Sequence, residues 1–179
     1  PGERLGNCAL HQVYGMSRIP VYGPTVLGFR CDEGGRVRLF FRYAHGLHFS
    51  GTTPDSYGDK FDKSLPSLVR LPECSGFELA GADGVFHPAT AAIFVDCDID
   101  DLVNAKVNVV DYNATEFGIP INSRSIGTIT LATPEVPAPV MMRYAWRSWG
   151  PAPLANDNDL PAHPFKLDLT DHTDSDHAE

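Results

Sequence analysis

Apolar positions recur at helical spacing over the first sixteen residues and change to alternation of period two from Val21 onward. Leu5, Cys8, Ala9, Gln12, Val13 and Met16 fall three and four apart, with Glu3 in the first turn and Gly15 near the end. This stripe predicts one amphipathic helix. So short a helix does not hold by itself in water, so the stripe must pack on the β core that follows or on a domain upstream. Val26 to Arg30 and Val37 to Tyr43 read as strands joined by Asp32, Glu33, Gly34 and Gly35, whose glycines supply the positive φ a hairpin needs. Leu47 to Phe49 reads as a third, short strand. Phe77 to Ala80 and Val85 to Ile93 flank Ala82, Asp83 and Gly84, a second hairpin signal. Lys106 to Val110, Thr128 to Ala132 and Val140 to Trp146 complete the set. Short strands punctuated in this way predict an antiparallel β-sandwich preceded by one helix.

Between the strands lie two expected insertions. Residues 50–75 are rich in Gly, Pro, Asp and Ser and read as a long surface excursion, and residues 94–127 as a second insertion. The expected organisation is therefore a helix over 1–20, a sandwich over 21–150, an extended segment over 151–167 and an acidic tail over 168–179. In the extended segment, Asn156 and Asn158 suit tight turns, Pro161 and Pro164 hold an extended path, and Leu160 and Phe165 act as anchors. Such a coil would be disordered if free, and is expected to lie as a strap across a neighbouring domain, on the rim of its cleft.

Composition narrows the function classes. The 179 residues carry a net charge of -9. From Asn156 onward seven acidic residues face the single Lys166, so two thirds of that charge lies in the terminal segment. The rest is nearly balanced, which argues against a nucleic-acid surface. No apolar run approaches the roughly 18 residues of a membrane span. The four cysteines, Cys8, Cys31, Cys74 and Cys97, are too widely spaced for a zinc site. They permit two disulfides without requiring them, and Cys8 reads as a buried thiol on the helix stripe.

Asp96, Asp98, Asp100 and Asp101 resemble a calcium loop, but positions six and twelve from Asp96 hold Asp101 and Val107 where such a loop needs glycine and glutamate. A solvated acidic turn is the expectation there, and no metal or cofactor is expected. No G-x-S-x-G elbow, Gly-Asp-Ser or Gly-Gln-Ser block presents a nucleophile. His45 and His48, beside a short strand, read as histidines on a wet edge. Near the end, Tyr144 and Trp146 share one face of a regular strand, where they would stack on a sugar ring if exposed. Burial in the core is the expectation for Trp146, with Trp149 a further aromatic candidate. Arg143 alternates to the opposite face and is expected to bind a carboxylate or backbone carbonyls of an adjoining domain.

Three blocks carry a family resemblance. GFELAGADGVFHPATAAI, then TLATPEVPAPVMMRYAWRSW, then LANDNDLPAHPF resemble the carboxy-terminal part of the sialate O-acetylesterase-like carbohydrate esterases, and PGERLGNCALHQVYG resembles that family's last catalytic-domain helix. The resemblance implies an SGNH-type serine hydrolase that removes acetyl groups from sugar hydroxyls. No position of this chain receives the catalytic roles. It implies a partner catalytic SGNH domain, an acetylated carbohydrate as substrate, and a secreted, periplasmic or lysosomal setting. Arg143, Tyr144, Trp146, Trp149 and Asn156 are the candidates for the substrate rim or the domain contact. A stand-alone, non-catalytic carbohydrate-binding β-sandwich is the alternative. The two differ in whether the Leu5, Cys8, Val13 and Met16 stripe is exposed or covered from within.

Overall fold

The computed structural model describes residues 2–16, 20–49, 69–94, 126–148 and 152–170, with the backbone of 108–109. The fold is mainly β, with antiparallel sheets and one N-terminal helix, in a sandwich-like arrangement. Helix α1 spans Gly2–Gln12, and a four-residue helix α2 spans Pro72–Ser75. The strands are β1 Thr25–Asp32, β2 Arg36–Arg42, β3 His48–Phe49, β4 Val69–Arg70, β5 Phe77–Ala80, β6 Phe86–Pro88, β7 Thr90–Phe94, β8 Asn108–Val109, β9 Gly127–Ala132, β10 Met141–Tyr144, β11 Leu154–Ala155 and β12 Phe165–Asp168. A six-stranded sheet runs β4-β7-β9-β2-β1-β8, a four-stranded sheet runs β12-β10-β5-β6, and β11 pairs with β3.

The β1–β2 hairpin forms as its alternation and turn demand. Gly34 and Gly35 take φ of 78° and 73°, and Asp32 pairs with Arg36 across the turn. The inner face of the large sheet supplies Val37, Leu39, Phe41, Ala91, Ile129 and Leu131 to the core. The small sheet answers with Phe77, Leu79, Met142, Tyr144 and Leu167. Aromatic rings make the middle of that core. Phe77 lies 4.5 Å from Tyr144 between ring centroids, Tyr144 5.5 Å from Phe165, and Phe165 6.1 Å from Phe41 on the opposite sheet. Offset and edge contacts at these distances add to the burial of area.

Several expectations are corrected. Val85 to Ile93 is not one strand. β6 pairs with β5 in the small sheet, whereas β7 pairs with β9 in the large one. The chain changes sheet at Ala89, fully buried, whose N–H donates to Phe77 O at 2.9 Å. Pro88 is tolerated because β6 is an edge strand. Residues 69–75 belong to the fold and not to a surface excursion. β4 pairs with β7, and Cys74 and Ser75 of α2 are buried. At the far end, Asp168 belongs to β12 and Leu169 is buried, so the body reaches beyond 168. Within the expected second insertion, Asn108–Val109 pairs with β1. The Asp96, Asp98, Asp100 and Asp101 cluster, Cys97, Trp149, most of both expected insertions and residues 171–179 lie outside the described residues. Among the described residues no helix is long and apolar enough to cross a membrane.

Segment 151–167, expected as a strap over another domain, folds back into this chain's own sheets. β11 pairs with β3, and β12 pairs with β10 from Met141↔Asp168 to Tyr144↔Phe165. Its apolar anchors explain this, since Leu154, Ala162 and Leu167 are all buried in the shared core.

Phe41 is fully buried and faces Phe165 across the two layers. Phe41→Ala is expected to lower unfolding free energy by about 3–5 kcal/mol, read from urea denaturation; a loss below about 1 kcal/mol would contradict this packing.

Candidate functional site

The residues singled out from sequence divide between two regions of the molecule. The first is the junction of the 154–162 coil with the start of the body. Asn156 is buried, and its Nδ2 donates to Tyr22 O at 3.0 Å and to Tyr43 O at 3.1 Å. Its Oδ1 accepts the N–H groups of Asn158 at 3.1 Å and Leu160 at 3.2 Å. One amide thus holds three backbone segments, which a short side chain with both donors and acceptors does well. Gly23 lets the coil approach, because a Cβ there would stand 2.0 Å from Pro161 O. Asn156 is therefore a structural tie. Its polar atoms are spent on the backbone.

Around this tie the surface is dense in chemistry. His45 Nδ1 meets Asp157 Oδ2 at 2.6 Å, and His48 Nε2 lies 3.7 Å from Asp159 Oδ1. Tyr22 and Tyr43 stack at 5.0 Å, with His11 edge-on to Tyr22 at 5.8 Å. Tyr43 and Asp159 hold φ of 54° and 53°, a left-handed backbone that costs non-glycine residues of order 1 kcal/mol. The His45–Asp157 contact was not legible from sequence, because 112 residues separate the partners. It makes no triad. The described serines are Ser75 and Ser148, and neither hydrogen-bonds a histidine. Ser75 is buried, its hydroxyl donating to Ala89 O at 2.6 Å. Among the described residues no group of three or more His, Cys, Asp or Glu forms a metal-holding cluster.

Helix α1 borders this region with an unexpected face. Asn7, Cys8 and His11 are its half-buried positions, and Arg4 donates to Asp159 O at 3.1 Å. Arg4, Asn7 and Cys8 line a cleft of about 180 Å³ against Pro20, Val21 and Leu160. The rest of the stripe points outward: Leu5 is 71% exposed, Val13 74% and Met16 51%. Cys8, expected as a buried thiol, is half-buried in the cleft wall. The helix thus turns its polar side to the body and its apolar side to solvent.

The second region is the outer face of the small sheet. Arg143 was expected to find its partner in an adjoining domain. It finds one next door: Arg143 and Glu78 are directly opposed in register, and Nε donates to Glu78 Oε2 at 2.6 Å. Arg147 closes on Oε1 of the same carboxylate at 2.6 Å. The Arg143 guanidinium also lies 3.9 Å from the Phe86 ring centroid, a cation–π stack. Burial by itself would raise the Glu78 carboxyl pKa. Hydrogen bonds and charge from Arg143 and Arg147 outweigh that, and it sits below its ordinary value.

Tyr144 and Trp146 do not share a face. Ala145 takes φ of 51° and ends β10, so the alternation fails after Tyr144. Tyr144 is fully buried; its hydroxyl oxygen accepts Leu154 N–H at 2.8 Å, and burial pushes the phenol pKa well up. Trp146, expected in the core, is 54% exposed.

No protein-family model matches the chain, and no curated protein matches it. Among solved structures, the chain is similar to the crystal structure of a novel carbohydrate acetylesterase from Xanthomonas citri, at 25% identity and a TM-score of 0.56. The likeness covers 93% of this chain and 27% of that protein, so the chain spans about a quarter of its length.

Because the folded-state pKa of Glu78 is depressed, its stabilising contribution is complete above the unfolded-chain value of about 4.3 and is lost as pH falls through the lower folded value. The difference in urea midpoint between the parent chain and Glu78→Gln is expected to be largest near neutrality and to shrink below about pH 4. A difference independent of pH would contradict the ion-pair assignment.

Proposed function

We propose that this chain is the accessory β portion of a carbohydrate O-acetylesterase, packed through α1 against an SGNH-type catalytic segment that supplies serine, histidine and acid. The observation that carries the reading is the orientation of α1. An apolar stripe with Leu5 71% and Val13 74% exposed is unfavourable on a free surface and is accounted for by a neighbouring segment that covers it. The likeness to a carbohydrate acetylesterase, of which this chain spans 27%, supports the identity of that neighbour. The stand-alone binding module is disfavoured by the same stripe, which such a module would cover from within.

In this reading the catalytic serine attacks the acetyl carbonyl, histidine takes the serine proton and returns it to the departing sugar hydroxyl, and water then releases acetate from the acyl-enzyme. The described residues of this chain contribute none of those steps. Their role is to hold α1 and the 154–162 coil at one edge of the body, where Arg4 and Asp159 join them. Sugars of the sialate type are the finer form of the proposal, supported by the three sequence blocks that resemble that family.

The purified chain is expected to show no hydrolysis of p-nitrophenyl acetate above buffer and no labelling by a fluorophosphonate serine probe. The chain joined to its catalytic segment is expected to be active and labelled at a serine outside these residues. Labelling of any serine within this chain, with turnover, would overturn the assignment.

A further inference from the structure

The left-handed Ala145 precedes an exposed tryptophan that is next in the chain to Arg147 of the Glu78 ion-pair cluster, and the hydrolytic steps set out above engage neither. The outer face of the small sheet carries Lys166, Arg143, Glu78 and Pro88 in one cross-strand row, and Met141, Ala80 and Phe86 with Asp168 in the next. Directly opposed residues of antiparallel strands project to the same side, so these groups share one face, on which Ala80 and Glu78 are buried. Its centre is fixed. Glu78 is buried, gripped by Arg143 and Arg147, and Arg143 is stacked on Phe86. Arg147 meets this carboxylate through one guanidinium nitrogen, and its side chain remains 62% exposed. Next to it in the chain stands Trp146, 54% exposed, just past the left-handed Ala145. Regular strand geometry at Ala145 would have continued the alternation and given Trp146 the buried side of Tyr144. The observed kink costs of order 1 kcal/mol and leaves a large aromatic ring in water.

We propose that this face binds a neutral polysaccharide, one pyranose ring stacked on the Trp146 indole and its hydroxyls hydrogen-bonded by Arg147 and the Glu78 cluster. The choice of a carbohydrate rests on the esterase reading above, while the binding itself needs no catalytic segment. The surface suits a sugar in two respects. A gluco- or xylo-configured ring has an apolar face of axial C–H groups that matches the flat face of an exposed indole. Guanidinium groups already oriented by a carboxylate offer several N–H donors at fixed angles, which suits vicinal hydroxyls. The ligand is neutral because the face nearly balances, three cations (Arg143, Arg147, Lys166) against two carboxylates (Glu78, Asp168), and so presents no strong field to a polyanion.

The test is affinity electrophoresis of this chain in native gels containing soluble β-glucan, xylan or glucomannan, with polygalacturonate as the acidic arm. At least one neutral polymer is expected to retard the parent chain. Trp146→Ala is expected to weaken the association constant about tenfold and Arg147→Ala about threefold, with Trp146→Phe in between. Unchanged circular dichroism and melting temperature of the variants would exclude misfolding as the cause. Retardation by no neutral polymer, retardation unchanged in Trp146→Ala, or retardation by polygalacturonate alone that vanishes with added salt would each overturn the proposal. None of these outcomes bears on acetyl-ester hydrolysis by the chain joined to its catalytic segment, so the two readings fail separately.

Discussion

The rest of the molecule depends on a layer of aromatic rings, Phe41, Phe77, Tyr144 and Phe165, closed between two sheets. Phe165 comes from the last strand, so the sandwich core is complete only when the chain has returned from the 154–162 coil. Tyr144 contributes twice, by its ring and by its hydroxyl, which accepts the N–H of Leu154 and so starts β11 against β3. A hydroxyl buried this deeply must find a partner, and a backbone N–H in a coil has the same need. Each satisfies the other, and the coil is thereby registered on the sheet.

That registration fixes what the surface presents. Once Tyr144 is held inside, the left-handed Ala145 releases Trp146 outward, and Arg147 reaches back to Glu78. Once Leu154 is held, Asn156 falls where its amide can reach the carbonyls of Tyr22 and Tyr43. The coil then lies against Gly23 and meets Arg4 of α1 at Asp159. The outward stripe of α1 and the outward Trp146 are thus two consequences of one buried core, offered to different partners in our reading: a catalytic segment and a glycan.

The strands with clean alternation and strong turns were legible in the sequence. β1, β2, β5 and β9 lie within a residue or two of their expected bounds, because Gly34 and Gly35 and the Asp83–Gly84 pair admit little but a turn. The sheet change at Ala89 was not legible, since a small apolar residue carries no local sign of leaving one sheet for another. Arg143 announced a carboxylate partner, but choosing Glu78 needs the β5–β10 register, which only the three-dimensional pairing supplies. The position of Trp146 was misread for a similar reason. Alanine seldom adopts positive φ, so nothing in Tyr-Ala-Trp signals that alternation stops there. The amphipathic stripe of α1 was read correctly as apolar, yet periodicity does not say which side meets the body. Arg4, anchored to a backbone carbonyl 155 residues away, and the half-buried Asn7 and His11 decide it.

The central claim is that α1 belongs at an interface with a catalytic segment. Amide hydrogen exchange across Gly2–Gln12 tests it most directly, measured in this chain by itself and in the chain joined to its serine-hydrolase segment. The account predicts fast exchange through α1 in the isolated chain and strong protection, by about a hundredfold or more, in the joined protein, with the sandwich core unchanged. Equal protection in both states would contradict it.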